Sequence, residues 1–157
     1  MRKFKLFVLI LIILFATPRC VEKQEKQEKN DVIIEEIKSD STNQFTELTI
    51  ENVVLYLKLF EVKHIDIVLA QSILETRYYK CSECSLDSNN IFGFRSSTGY
   101  YSYCHYVQSI ADYKDWQKRK YDGQQNYYQF LKEVGYAEDL NYTNKLKYIV
   151  TQIQEYL

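Results

Sequence analysis

Apolar residues recur at helical spacing most densely near the middle of the chain, over residues 65–79 with the sequence IDIVLAQSILETRYY. The apolar side chains of this segment point in most directions around a helix: Ile65, Val68, Leu69, Ile73 and Leu74. Gln71, Ser72 and Glu75 share the one narrow stripe that remains. Because a helix that is apolar nearly all round is normally buried, the pattern predicts a central core helix with Glu75 at its C-terminal end.

The flanking sequence predicts further helices and one short hairpin. Thr49 is a suitable N-cap for a helix with the apolar positions Val53, Val54, Leu57 and Phe60. Gly135 is expected to end a second helix as its C-cap. The predicted helices after the centre are residues 106–120, 124–134 and 141–157, and residues 94–103 form the predicted hairpin. The expected fold class is α+β, mostly helical, with a small β-hairpin lobe.

Composition places the folded part in a single domain, residues 47–157 of 157. The net charge of −1 argues against a nucleic-acid-binding surface. The 15 Tyr and 8 Phe residues suit a core, and they also suit a groove that stacks on sugar rings.

The first 46 residues have the pattern of a segment that directs export of the protein and attaches it to a membrane. Residues 1–19 combine a basic start with an apolar run too short to span a membrane, which is typical of a signal peptide. Residues 20–46 are polar and of low complexity, as in a disordered tether. Cys20 stands where a bacterial lipoprotein is lipidated, although Arg19 departs from the usual small residue. The alternative is a free or removed Cys20.

Three further cysteines raise the question of a metal. Cys81, Cys84 and Cys104, with His105, supply zinc-type ligands, but the Cys104–His105 pair lacks ligand spacing. In an exported protein a disulfide is favoured, with Cys104 bonded to Cys81 or Cys84 and one thiol left over. No metal is expected.

Glu75 is the candidate catalytic group. The commonest position of a glutamate at a helix end is exposed. A carboxyl group at the edge of a core is instead desolvated, which raises its pKa toward the range that a general acid needs.

Three blocks of sequence together resemble one known family. These are VLAQSILET at residues 68–76, NNIFGF at residues 89–94 and GYAEDLNYTNKL at residues 135–146. In this order they resemble the glucosaminidase family of peptidoglycan hydrolases, family 73 of the glycoside hydrolases. The resemblance implies a lysozyme-like fold, Glu75 as the acid that protonates the glycosidic oxygen, and no cofactor.

The resemblance also implies the remaining site residues. Tyr136 and Tyr142 would assist catalysis, with Tyr136 ranked first. The residues implied for substrate binding are Gln71, Asn89, Asn90 and Phe92. Asn90 and Phe92 are expected to support the groove first and to contact sugar second.

The chain departs from the family pattern at three points. Arg77 replaces a glycine after the acid, and could narrow the cleft or pair with Glu75; Leu140 replaces a proline. Residues 94–106 contain no Asp or Glu, so a second acid is not evident. The candidates elsewhere are Glu83, Asp87, Asp112 and Asp115, and the alternative is assistance by the substrate's own 2-acetamido group.

The resulting interpretation is an exported peptidoglycan hydrolase, a monomer anchored to the membrane by lipid at Cys20. It would cleave the β-1,4 bond after N-acetylglucosamine in glycan strands. One alternative is a catalytically silent glycan-binding lipoprotein on the same fold. Another is a structural envelope protein that binds a protein through tyrosine-rich surface.

Overall fold

The computed structural model describes residues 47–157, which form five α-helices and one two-stranded sheet. The α-helices are α1 (Ile50–Leu59), α2 (Ile65–Thr76), α3 (Tyr106–Lys120), α4 (Tyr127–Glu133) and α5 (Tyr142–Gln152). Strands β1 (Arg95–Ser96) and β2 (Gly99–Tyr100) pair antiparallel, and short 3-10 helices span Ser85–Ser88 and Gln154–Tyr156. The predicted class, α+β and mostly helical with one small hairpin, is confirmed. The predicted signal peptide, the tether and Cys20 lie outside the described residues.

Helix α2 is the centre of the fold, as its apolar pattern predicts. Its residues from Ile67 to Ile73 are all buried, and α1 and α5 pack against it. Helix α5 contributes Leu146 and Ile149 to the core, and Ile153 follows directly after it. Gln71 and Ser72 are also fully buried, so the polar stripe of α2 faces the interior there and needs internal hydrogen-bond partners.

Local capping explains where the helices begin and end. The Thr49 side chain accepts a hydrogen bond from the Asn52 N–H, which confirms the predicted cap of α1. Helix α4 begins at Tyr127, three residues later than predicted, because the Asn126 side chain caps it. It ends at Glu133, and Gly135 follows with a φ of +65°.

Cys81 and Cys84 are disulfide-bonded, as expected of candidates in an exported protein, but the predicted bond from Cys104 to one of them is wrong, and none of the described cysteines is a free thiol. Cys81 is bonded to Cys84, with the two Cα atoms 6.2 Å apart, and Cys104 is bonded to neither. The two cysteines are three positions apart, and Glu83 between them has a left-handed φ of 55°, so a tight turn brings them to bonding distance.

None of the helices formed by residues 47–157 has the length and apolarity needed to span a membrane.

Candidate active site

Glu75 lies in the last turn of α2, where its half-buried carboxyl group meets two other segments of the chain. Its Oε1 accepts a hydrogen bond of 2.9 Å from the Tyr142 hydroxyl of α5. Its Oε2 lies against Gly93, so closely that a Cβ added there would stand 3.0 Å from it. Burial raises the pKa of Glu75, and the hydrogen bond from Tyr142 offsets part of that rise. The carboxyl group therefore has the environment of a general acid.

The chain leaves α2 in an uncommon backbone conformation. Arg77, Tyr78 and Tyr79 all have positive φ angles, of 50°, 59° and 59°. The left-handed conformation of Arg77 is the one that a glycine adopts most readily, which accounts for the glycine expected there. The Arg77 side chain is exposed, and within residues 47–157 no ion pair joins it to Glu75. The guanidinium therefore does not lower the pKa of the acid.

The two predicted tyrosines differ in what they contact. Tyr142 donates directly to Glu75, whereas the Tyr136 hydroxyl donates to the backbone carbonyl of Phe92 at 2.9 Å. Their rings stack with centroids 5.8 Å apart. Tyr142 therefore contacts Glu75 itself, and Tyr136 contacts the segment that carries Gly93; the catalytic ranking of the two tyrosines stays a prediction.

The Asn90 side chain is held by hydrogen bonds within the protein. It is fully buried, and its Nδ2 donates to the carbonyls of Phe94 and Tyr101 at 2.8 and 3.1 Å. Its Oδ1 accepts from the Phe94 N–H at 3.0 Å. Phe92 is only 1% exposed. Both residues are therefore structural in this conformation, and their role in supporting a substrate groove stays a prediction.

The side chains of Gln71 and Asn89 also form hydrogen bonds within the protein. Gln71 is fully buried, with both amide atoms hydrogen-bonded to tyrosine hydroxyls, and its part in substrate binding stays a prediction. Asn89 is half-buried and donates to the Tyr103 carbonyl at 3.0 Å, which ties the loop to the hairpin. These two amide side chains thus stabilise the segments around Glu75 through internal hydrogen bonds.

No second carboxylate of the described residues contributes to the pKa shift of Glu75, whose two causes are burial and Tyr142. A second carboxylate at the short separation of a retaining site would raise that pKa strongly. Of the four candidates, Asp112 accepts a hydrogen bond from Tyr103, and the others are exposed: Glu83, Asp87 and Asp115.

Aromatic side chains line the region beside the acid. Phe94 and Trp116 have ring centroids 6.3 Å apart, and Trp116 meets the edge of Tyr136 at 5.3 Å. Tyr100 and Tyr101 of the hairpin are 43% and 44% exposed. Such rings supply apolar faces with polar rims, which suit the stacking of sugar rings. Neither Phe94 nor Trp116 was predicted as a site residue, and the one signal in the sequence that could have indicated Trp116 is that it is the single tryptophan of the chain.

A second group that sequence reasoning missed lies in the core behind Glu75. Tyr113, Gln117 and Tyr127 are buried and hydrogen-bonded to one another or to Gln71. Nothing in the sequence distinguishes these two tyrosines from the other 13. Within residues 47–157, no cluster of three or more His, Cys, Asp or Glu side chains is arranged to hold a metal ion.

One of three comparisons with known proteins gave a match, and the matched residues include the candidate site. The family model for Glucosaminidase, described as mannosyl-glycoprotein endo-beta-N-acetylglucosaminidase, matches residues 51–155. Neither a curated protein nor a solved structure gave a significant match, so the lysozyme-like fold stays a prediction. The match extends from α1 to the end of the last 3-10 helix and includes Glu75, Tyr142 and the segment between them, and it supports a glycoside hydrolase. The chain belongs to the glucosaminidase family.

Proposed function

We propose that the protein is a peptidoglycan hydrolase that cleaves the β-1,4 bond after N-acetylglucosamine, with Glu75 as its general acid. The observation that carries the proposal is the Glu75 carboxyl group, half-buried, raised in pKa and hydrogen-bonded to Tyr142 inside the matched family domain. A group protonated closer to neutrality than an ordinary glutamate can deliver a proton to the leaving oxygen as positive charge develops on the sugar ring.

The two carboxyl oxygens have different roles in this proposal. Oε1 stays bound to the Tyr142 hydroxyl, which holds the carboxyl group in one orientation. Oε2, beside Gly93, carries the proton and gives it to the glycosidic oxygen. The absence of a side chain at Gly93 leaves room for the leaving sugar at that oxygen.

The nucleophile that we propose is the 2-acetamido group of the substrate. Its carbonyl oxygen attacks C1 as the glycosidic bond breaks, and water then opens the resulting ring, returning a proton to Glu75. The support for this proposal is that, of the four candidate carboxylates, Asp112 is hydrogen-bonded to Tyr103 and the other three are exposed, and that no carboxylate of residues 47–157 contributes to the pKa of Glu75. A thiazoline analogue of the cyclised sugar should then inhibit hydrolysis competitively. Replacing Glu83, Asp87 and Asp115 one at a time with the corresponding amide should leave kcat within about twofold, because each is exposed and none contributes to the pKa of Glu75.

We further propose that residues 1–19 direct export and that Cys20 carries a lipid anchor that places the domain, as a monomer, at the cell envelope. The support is the apolar run, the cysteine and the polar tether that follows it. Metabolic labelling with a radioactive fatty acid, lost in Cys20→Ala, tests the anchor.

The hydrolase proposal is tested on purified peptidoglycan with the full-length protein, beside Glu75→Gln. New reducing ends are converted to alcohols with borohydride and identified by mass spectrometry. We expect reduced N-acetylglucosamine ends that disappear in the variant, whose amide keeps the shape of the side chain but has no acid proton.

Two other outcomes would change the assignment. Reduced N-acetylmuramic acid ends would keep a glycosidase and reverse the bond that it cleaves. No new ends, with the wild-type protein still sedimenting with the polymer, would favour the catalytically silent glycan binder. No sedimentation and no ends would leave the structural envelope protein.

A further inference from the structure

A continuous chain of buried hydrogen bonds leads from the turn before α2 to the acid. Its side chains are almost without solvent exposure, at 3%, 1%, 0%, 0% and 7%, for Gln117, Tyr127, Tyr113, Gln71 and Tyr142. Because each hydroxyl has one proton to donate, the direction of one bond in such a chain constrains the direction of the next.

The direction is fixed at the end farthest from Glu75 along this chain. The Lys63 N–H donates to Gln117 Oε1 at 2.8 Å, and Gln117 Nε2 donates to the Lys63 carbonyl at 2.9 Å. A backbone N–H can only donate and a carbonyl can only accept, so the Gln117 amide has a single orientation. Its second N–H donates to the Tyr127 hydroxyl at 2.8 Å.

The two tyrosines in the middle then have one consistent arrangement. The hydroxyls of Tyr127 and Tyr113 are 2.8 Å apart, and that of Tyr113 is 2.6 Å from Gln71 Oε1. Since Tyr127 already accepts from Gln117, it donates to Tyr113, and Tyr113 donates to Gln71. The reverse direction would turn the Tyr127 proton toward the Gln117 N–H, so that two donors face each other in a buried site.

The last links reach the acid. With Gln71 Oε1 occupied as an acceptor, Gln71 Nε2 faces the Tyr142 hydroxyl at 3.4 Å as a donor. The Tyr142 proton is therefore directed to Glu75 Oε1, at 2.9 Å. Every bond from Gln117 to Glu75 then points the same way, toward the carboxyl group.

We propose that Gln117 is a positioning residue that fixes the direction of this chain, so that Tyr142 donates to Glu75 Oε1 and the acid proton resides on Oε2. The inference deepens the proposed function, on which its catalytic meaning rests. Without the Gln117 anchor the chain can reverse, with the Tyr142 hydroxyl donating to Gln71 and accepting from a protonated Glu75. The ionised form of Glu75 then loses its donor for part of the time.

The groups that face Glu75 are few. Tyr142 comes from α5, Tyr136 from the segment before α5, and Gly93 offers only backbone from the loop before the hairpin. Arg77, on the α2 side, is exposed and not paired with Glu75. His64 stacks on Tyr127 at the far end, with ring centroids 4.5 Å apart, and stays unchanged in every variant below.

The test measures the pKa of Glu75 directly, by NMR titration of the full-length protein labelled with ¹³C at glutamate side-chain carboxyls. We expect Gln117→Met, which keeps the length of the side chain and removes its donors, to raise this pKa to a value between those of wild type and Tyr142→Phe. Tyr127→Phe, which breaks the chain and leaves the contact between Gln117 and Lys63 intact, should shift it in the same direction.

The matched control is Tyr79→Phe. It removes a hydroxyl that is hydrogen-bonded to Ser72 of the same helix and is not part of the chain. Its Glu75 pKa should equal that of wild type, even where its melting temperature falls.

A wild-type Glu75 pKa in both Gln117→Met and Tyr127→Phe would overturn the inference, and so would an equal shift in Tyr79→Phe. The titration needs no substrate, so it separates the two proposals. If the Glu75 pKa shifts in the variants but the wild-type protein releases no glycan ends, the hydrogen-bond chain is supported and the hydrolase proposal is rejected. If the wild-type protein hydrolyses glycan but the pKa does not shift in the variants, the hydrolase proposal is supported and the role of Gln117 is rejected.

Discussion

At the scale of single residues, two opposing effects determine the pKa of Glu75. Burial disfavours its charged form, and the Tyr142 hydroxyl favours it. Burial is the larger effect, so the pKa lies above the ordinary value for glutamate, and hydrolysis is expected to decline as the pH rises through it.

Tyr142→Phe should move the alkaline limb of kcat/KM to higher pH. The substitution removes the hydrogen bond that stabilises the ionised carboxylate, a contact of about 1.5–3 kcal/mol for a charged acceptor, so Glu75 keeps its proton to higher pH. The measurement is the pH dependence of glycan-end release. Tyr136→Phe is the matched control, because that hydroxyl donates to the Phe92 carbonyl; a limb that moves equally in both variants would refute the distinction.

At the scale of elements, the loop of residues 89–94 determines how closely backbone approaches the acid. Asn90 fixes this loop from the core, Tyr136 holds it from the side, and Gly93 passes beside Glu75 with a φ of +67°. Only a residue without a side chain combines that conformation with that contact.

Gly93→Ala should lower kcat by about a hundredfold, the usual order of loss when a reacting group is displaced by about 1 Å. Its new Cβ would lie 3.0 Å from Glu75 Oε2 and must push the carboxyl group aside. Gly135→Ala is the control, because Gly135 has a similar φ of +65° and nothing within 4 Å of an added Cβ.

Both alanine variants should lose about 1–2 kcal/mol of unfolding free energy from left-handed backbone strain, measured by urea denaturation. Equal losses of activity in the two would show that general destabilisation, and not the contact with Glu75, is responsible.

The elements could be predicted from sequence better than the site. Helix α3 was predicted with its observed ends, because its apolar spacing and flanking residues act locally. The contact of Gln71 with two tyrosines joins residues 42 and 71 positions apart, which no local pattern encodes. For the same reason the sequence did not indicate that Tyr142, and not Tyr136, contacts Glu75. Glu75 could be proposed as the acid from sequence because the helix pattern and the three blocks converge on it.

At the scale of the whole molecule, the raised pKa of Glu75 is a cost to folding at neutral pH. A carboxyl group whose folded pKa exceeds its unfolded value binds its proton more tightly in the folded state. Its contribution is fully present below the unfolded pKa and is lost as the pH rises through the folded pKa.

Glu75→Gln should therefore be more stable than wild type at pH 7, by about 0.5–2 kcal/mol, the usual gain when a functional site is relieved. The difference should shrink toward pH 4, where wild-type Glu75 is itself neutral. Thermal unfolding of both proteins across this range measures it, with Glu138→Gln, at an exposed position, as the control. A variant less stable than wild type at pH 7 would contradict the expected direction.

The positions of Glu75 and Tyr142 along the chain determine when their contact can form during synthesis. The acid sits on α2, early in the domain, but its partner begins α5, the last of the five α-helices, which docks through Leu146 and Ile149. During synthesis the N-terminal helices emerge first, and Glu75 then remains a solvated carboxyl group of ordinary acidity. Docking of α5 closes the core and brings Tyr142 to Glu75 in one event, so under the proposed function an incomplete or partly unfolded copy would not hydrolyse glycan strands.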